Sequence, residues 1–263
     1  MNDYSIIIPT YNCASYITEA VESVLEQDVD KEIIVIDDGS TDYTKDILKP
    51  YMSRIKYISQ NNQGPGSARN VGIKESKSKW IAFLDSDDVF LSGYLQHHNE
   101  FVMKHRTCKA FSVNFKLQRE SEENNFFKAV DFSFNNYKKI ARPLSYFIKY
   151  NFSWLQNTII NRELIEKHRI YFNTTHNIHE DFRFLCELAL QTSWFVSDRV
   201  LVYICRRKGL VSNLSKNTYD YKYKAKIRMA ICKELIKNQK ATKEEKELLR
   251  KSILAEKISL FFN

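Results

Sequence analysis

Asp85, Ser86, Asp87 and Asp88 follow directly on the apolar run Trp80–Leu84. Three carboxylates within four residues repel one another, so the arrangement calls for a partner. Two carboxylates two residues apart can share one hard divalent cation, or one can take the cation while the other grips a ribose hydroxyl. Oxygen donors favour Mn2+ or Mg2+. A cation there would bridge the diphosphate of a nucleotide sugar and offset its charge as it departs. The same four residues also fit a plain polar turn. Asp88 reads as an N-cap, because the helix predicted by "LSGYLQHHNEFVMKH" follows shortly after.

The elements that would position this cluster alternate in type. "SIIIP", "EIIVIDD", "IKYIS" and "WIAFL" are continuous apolar runs, the pattern of strands covered on both faces. Between them "SYITEAVESVLEQ", "TDYTKDILKPYM" and "GSARNVGIKES" read as helices. In the first, Ile17, Ala20, Val21, Val24 and Leu25 share one face. In the second, Thr41 or Asp42 offers a cap. Such alternation predicts an α/β fold with parallel strands and right-handed crossovers. Ligands of such sheets bind beyond the carboxyl ends of the strands. Pro9–Asn12, Asp37–Ser40, Gln60–Gly66 and Asp85–Asp88 stand there, small and polar, on one expected rim.

Beyond about residue 105 the pattern loosens. "CKAFSVNFKLQ" predicts a strand, 119–139 a variable loop, and "SWLQNTIINRELIEKHRI" a strand and a short helix. "EDFRFLCELALQ" predicts a helix, and "WFVSDRVLVYICRR" two strands around a turn. The last stretch, "TKEEKELLRKSILAEKISLFF", opens on a capping box of Thr242 and Glu245.

Composition narrows the function classes. The five cysteines are scattered with no CxxC pair, which argues against a zinc site or a disulfide framework. No apolar run approaches the ~20 residues of a membrane span. "MNDYSIIIPT" has an acid near its start and no basic stretch, a poor signal peptide. A cytoplasmic protein is expected. The net charge of +8 sits almost wholly in residues 216–263, which hold 13 Lys and Arg against 6 Asp and Glu. That basic, helix-like tail has two readings. It lies on an anionic membrane surface, placing the protein at the inner face of the cell membrane, or it packs on the domain or on a second copy as a homodimer. The near-neutral body argues against nucleic-acid binding.

Five ordered blocks, "SIIIPTYNCASYITEAVESVLEQ", "EIIVIDDGSTD", "NNQGPGSARNVGI", "WIAFLDSDD" and "HEDFRFLCELA", resemble the inverting family 2 glycosyltransferases of the GT-A fold. "LVYICRRKGLVSNLS" resembles the strand and basic loop that commonly follow. The resemblance covers roughly residues 3–215. It implies a mostly parallel nucleotide-binding sheet flanked by helices, with a C-terminal helical extension. The expected division is a GT-A domain over 1–215, with a nucleotide-sugar half (1–105) and an acceptor half (106–215), then the basic extension 216–263.

The resemblance also implies roles. Pro9, Thr10 and Tyr11 would lie along the nucleoside, Tyr11 against the base. Asp38 would accept from the uracil N–H, and Arg69 would approach the diphosphate. Asp85 would hold ribose or support the metal, with Ser86 beside it in the donor site, and Asp87 would ligate the metal directly. Asp181 would be the general base. The expected reaction moves a sugar from a nucleotide-sugar donor, a UDP-sugar, to a saccharide or lipid-linked saccharide of a bacterial surface polysaccharide. A non-catalytic sugar- or nucleotide-binding partner that kept the fold is the alternative.

Each residue also has a plainer reading. Tyr11 could be a surface aromatic, Asp38 a cap at Gly39, and Arg69 the partner of a helix acid. Glu180 and Asp181 both suit the start of a helix, where acids are favoured. His179 or His176 could touch the diphosphate or the acceptor, but the plainer reading of both is a solvated loop histidine.

Overall fold

The computed structural model describes residues 3–119, 122–125, 134–150, 154–205 and 220–262. β1 (Tyr4–Thr10), β2 (Lys31–Asp37), β3 (Lys56–Ser59) and β4 (Trp80–Phe83) form where the apolar runs predict them. They are parallel in the order β3-β2-β1-β4. Every residue of β1 and β4 is buried, as strands covered on both faces require.

α1 (Ile17–Leu25) buries Ile17, Ala20, Val21 and Val24. α2 (Thr44–Leu48) continues into a 3-10 turn, Lys49–Tyr51. Asp42 accepts the Thr44 N–H at 3.0 Å, although Tyr43 holds the N-cap position. α3 (Pro65–Glu75) lies so close to β1 that a Cβ on Gly72 would come within 2.3 Å of Ile7 Cγ2. From β1 the chain runs outward through β2 and β3, then returns to the other side as β4. The reversal leaves a crevice at the carboxyl ends of β1 and β4.

The second half extends the sheet with mixed polarity. It supplies β5 (Val89–Phe90), α4 (Tyr94–Lys104), β6 (Ala110–Arg119), β7 (Glu122–Asn125) and β8 (Tyr137–Ile140). α5 (Pro143–Tyr150), β9 (Thr158–Asn161), α6 (Arg162–His168), α7 (Glu180–Ala189) and β10 (Trp194–Cys205) follow. β9 runs antiparallel between β4 and β6, and β6 is parallel to β10. The expected loop over 119–139 contains the end of β6, β7 and the start of β8; residues 120–121 and 126–133 of it lie outside the described residues. Residues 206–215 of the expected basic loop also lie outside them.

Two expectations change. β10 is one strand, not two around a turn. Its register against β6 slips between Val196 and Val202, so the Ser-Asp-Arg stretch read as a turn is a bulge. Asp88 is not an N-cap, because β5 intervenes and α4 starts after Gly93, which takes a left-handed φ of 83°. Asp88 is instead buried, and its carboxylate accepts the Cys205 N–H of β10 at 2.7 Å.

The tail forms α8 (Tyr221–Lys237) and α9 (Lys243–Phe262). The capping box is present: Thr242 N–H donates to Glu245 Oε2 at 2.8 Å, and Glu245 N–H to Thr242 Oγ1 at 3.1 Å. Glu245 also pairs with Arg142 at 2.6 Å. Ile227, Ile231, Cys232, Leu235 and Leu249 join one core cluster with Phe184, Leu188 and Trp194. The tail helices therefore pack on the domain. Among the described residues no helix is long and apolar enough to cross a membrane. The five cysteines are buried.

Candidate active site

The strand ends open onto a cavity of about 500 Å³. Pro9, Thr10 and Tyr11 reach it from the end of β1 and Asp38 from the end of β2. Arg69 comes from α3, and Asp85, Ser86 and Asp87 from the end of β4. Asp181 joins the lining from the first turn of α7. Every residue to which the resemblance gives a role at the site thus lines one space.

Local bonds fix the rim. Asn12 takes a left-handed φ of 49°, and its Oδ1 accepts the Thr41 N–H at 2.8 Å, tying the β1 loop to the β2 loop. Asp38 is buried and its backbone N–H donates to the Thr10 carbonyl at 2.9 Å. Its carboxylate accepts from Gln60 Nε2 at 2.6 Å, Gln63 N at 2.9 Å and Gly64 N at 2.8 Å. It therefore organises the whole loop ahead of α3, not just the turn at Gly39. Gly64 is required in that loop. Its φ is 87°, and a Cβ there would lie 2.3 Å from Asn177 Oδ1. The Thr10 hydroxyl is buried without a hydrogen-bond partner among the described residues.

Part of the charge in the acidic cluster, that of Asp85, is met from within the protein. Arg69 Nη2 donates to Asp85 Oδ1 at 2.8 Å, and Gln156 Nε2 donates to Asp85 Oδ2 at 2.5 Å. Arg69 Nη1 reaches Glu180 Oε1 at 3.0 Å, and its guanidinium lies over the Phe172 ring, 5.5 Å from the centroid. The Arg69 side chain is only 6% exposed. It joins the end of β4 to the start of α7. Burial disfavours its charge, but the acids at Asp85 and Glu180 more than reverse that and raise its pKa. Asp88 has its pKa raised by burial and by the charges of Asp87 and Asp85.

Glu180 is more than a surface charge at a helix start. Burial first, then the charge of Asp181, pushes its carboxyl up to about 7, against the pull of Arg69. Unfolded, the same carboxyl loses its proton near 4.5. Its folded pKa is raised, so its contribution to stability is complete below about pH 4.5 and lost as pH rises to about 7. His98 acts the other way. Fully buried, with Tyr4 Oη 2.8 Å from its Nδ1, it is pushed by burial down to about 3. It costs stability as pH falls below 6.5. Comparing Glu180→Gln with the parent chain isolates the Glu180 contribution. The expected result is that the parent's thermal midpoint drops relative to the variant's between about pH 4.5 and 7. Parallel pH curves for the two chains would contradict it.

His179 is not a solvated loop residue. It is half-buried, lines the cavity and takes a left-handed φ of 56° just ahead of α7. Burial lowers its pKa; Asp181 opposes this, and Arg228 and Lys224 add to it. His176 contacts Tyr223 Oη of α8 at 3.1 Å. Sequence reasoning missed Gln156, Asn177 and Lys224 as cavity residues. Gln156 had a signal, a polar residue just ahead of an apolar strand; the other two had none.

The donor set bears on a metal. Among the described residues no group of three Asp, Glu, His or Cys is arranged to hold an ion. Asp85 and Asp87 supply two hard carboxylates to the lining of the cavity. That fits a cation of the Mg2+ or Mn2+ type, which binds through one or two carboxylates and completes its shell with water and phosphate. It does not fit an ion caged by protein alone.

Residues 5–169 match the family described as Glycosyl transferase family 2. An uncharacterized glycosyltransferase of Rickettsia bellii is 38% identical over 150 residues, 52% of this chain and 20% of that protein. The poly(ribitol-phosphate) beta-N-acetylglucosaminyltransferase TarS of Staphylococcus aureus is 36% identical over 114 residues, 41% of this chain and 20% of its own length. The chain thus spans about a fifth of the length of these relatives. Among solved structures, S. aureus TarS 1–349 in complex with UDP-GlcNAc superposes with a TM-score of 0.78. It is 24% identical, and the match covers 98% of this chain and 73% of that one. A mannosyltransferase of Pyrobaculum calidifontis in complex with GDP-Man and Mn2+ gives a TM-score of 0.67 at 17% identity, covering 98% and 74%. At these identities the two structures establish the likeness of fold.

Proposed function

The chain belongs to glycosyl transferase family 2, and from that premise we propose that it moves a sugar from a UDP-sugar to a hydroxyl of a saccharide or lipid-linked saccharide, with inversion, in the making of a bacterial surface polysaccharide. One observation carries the reading. The ends of the parallel strands and Asp181 line a single cavity of about 500 Å³.

In this reading Pro9, Thr10 and Tyr11 cradle the nucleoside, and Asp38 holds the loop against which the base rests while meeting its N–H. A sugar hydroxyl is a weak nucleophile until its proton is drawn off. Asp181 takes that proton as the hydroxyl oxygen bonds to the anomeric carbon from the face opposite the leaving group. The bond from that carbon to the diphosphate oxygen breaks, and the nucleoside diphosphate leaves with the bonding electrons. A divalent cation, Mn2+ or Mg2+, held by Asp87 with Asp85, would offset the charge on the departing diphosphate. Arg69 keeps Asp85 and Glu180 in place, so the donor end and the base end hold a fixed separation.

A thermal-shift screen of nucleotides and nucleotide sugars with Mn2+ tests the proposal, because a ligand bound to the folded state raises its apparent stability by mass action. UDP and UDP-sugars are expected to raise the midpoint more than GDP, GDP-Man or uridine. No rise with any nucleotide would refute it. The exposed lysines of α8, Lys222, Lys226, Lys233 and Lys237, support a further part of the reading, contact with an anionic membrane that carries the acceptor. Equal binding to anionic vesicles after all four are changed to Glu would remove that part.

A further inference from the structure

We infer that Lys224 of α8 is a phosphate-binding residue of this cavity, so that the C-terminal extension completes the substrate site as well as covering the core. The inference rests on the nucleotide-sugar reading above and adds to it a residue that no motif marks.

The cavity wall is rich in acids: Asp38, Asp85, Asp87, Glu180 and Asp181 all face it. A phosphate entering such a space is repelled unless cations meet it. Beside the divalent ion of the reading above, Arg69 is the protein cation expected to do so, but its two terminal nitrogens are engaged by Asp85 and Glu180, and its side chain is 6% exposed. Lys224 also lines the cavity. It is half-buried and, among the described residues, forms no ion pair and no side-chain hydrogen bond. A half-buried ammonium facing a cavity, with no carboxylate in contact, is placed to donate to an incoming anion.

The position of Lys224 is built, not incidental. Ala225, Ile227, Ile231 and Cys232 anchor α8 in the core. Arg228, one turn on, stacks over the Phe182 ring of α7 at 4.7 Å. Tyr223 holds His176 in the loop before α7. These contacts tie Lys224 to the element that carries His179 and Asp181. The phosphate it meets belongs either to the donor's diphosphate or to a phosphate-bearing acceptor, and the two can be told apart.

Lys224→Met and Lys224→Arg are compared with the parent chain by calorimetric titration. The probes are UDP with Mn2+, uridine, and inorganic phosphate added to the UDP-loaded and to the nucleotide-free chain. If the donor supplies the phosphate, Lys224→Met weakens UDP by about tenfold or more, leaves uridine unchanged, and Lys224→Arg restores most of the loss. If the acceptor supplies it, UDP is unaffected, and phosphate uptake by the UDP-loaded parent is lost in Lys224→Met. The inference is overturned if Lys224→Met matches the parent with every probe, or weakens UDP and uridine equally. A parent chain that binds phosphate through Lys224 but no nucleotide sinks the nucleotide-sugar reading and keeps this one. A parent that binds neither sinks both.

Discussion

Replacing Asp181 by Asn lowers sugar transfer by about 10²–10⁴-fold while UDP binding is retained. Asp181 lies in the first turn of α7 and lines the cavity, and its Oδ1 accepts the Phe182 N–H at 2.7 Å. Asn keeps the size and an acceptor for that bond but cannot take the acceptor's proton. The loss therefore falls on kcat, with KM for the donor and the thermal midpoint little changed. Near-normal turnover in the variant would remove Asp181 as the base. A collapse of stability would assign it to the helix start, its plainer role.

Arg69→Met has the largest expected effect on stability. It strands Asp85 and Glu180, whose side chains are only 30% and 10% exposed, without their cation. Breaking a buried pair by removing one partner costs about 3–5 kcal/mol, far more than the pair itself contributes. Denaturant melts at pH 7 should show this loss, and the gap to the parent should narrow at lower pH as the stranded carboxyls gain protons. The role implied by family resemblance, direct contact with the diphosphate, makes the opposite forecast: weak UDP binding with stability intact. The two results separate a strut from a ligand.

The parts of the fold that were legible are those whose signal is local. β1 and β4 are apolar on both faces because helices and sheet enclose them, so a continuous run suffices to find them. The strand-end positions then follow from topology, which is why Pro9 through Asp87 fall on one cavity. The capping box at Thr242 and Glu245 is equally local, a spacing of three residues.

What was illegible depends on distant partners. Asp88 looks like a cap because a helix pattern follows, but its true partner, Cys205, is 117 residues away. Arg69 and Glu180 are 111 residues apart, and nothing in either segment marks their pairing. The β10 bulge depends on register against β6 and β8, where Ser197 faces Tyr137 and Val200 faces Asn114. Lys224 sits among many lysines of similar surroundings in the sequence, and only the packing of α8 sets it apart.

The central claim is that the acidic end of β4 receives the diphosphate of a nucleotide sugar together with a divalent ion. A crystal of the chain grown with UDP and Mn2+, read through the anomalous signal of manganese, tests it most directly. The expected result is a manganese peak in contact with Asp87 and with oxygens of the UDP diphosphate, the uracil lying toward Asp38. Manganese and UDP bound elsewhere, with Asp87 touching neither, would contradict it.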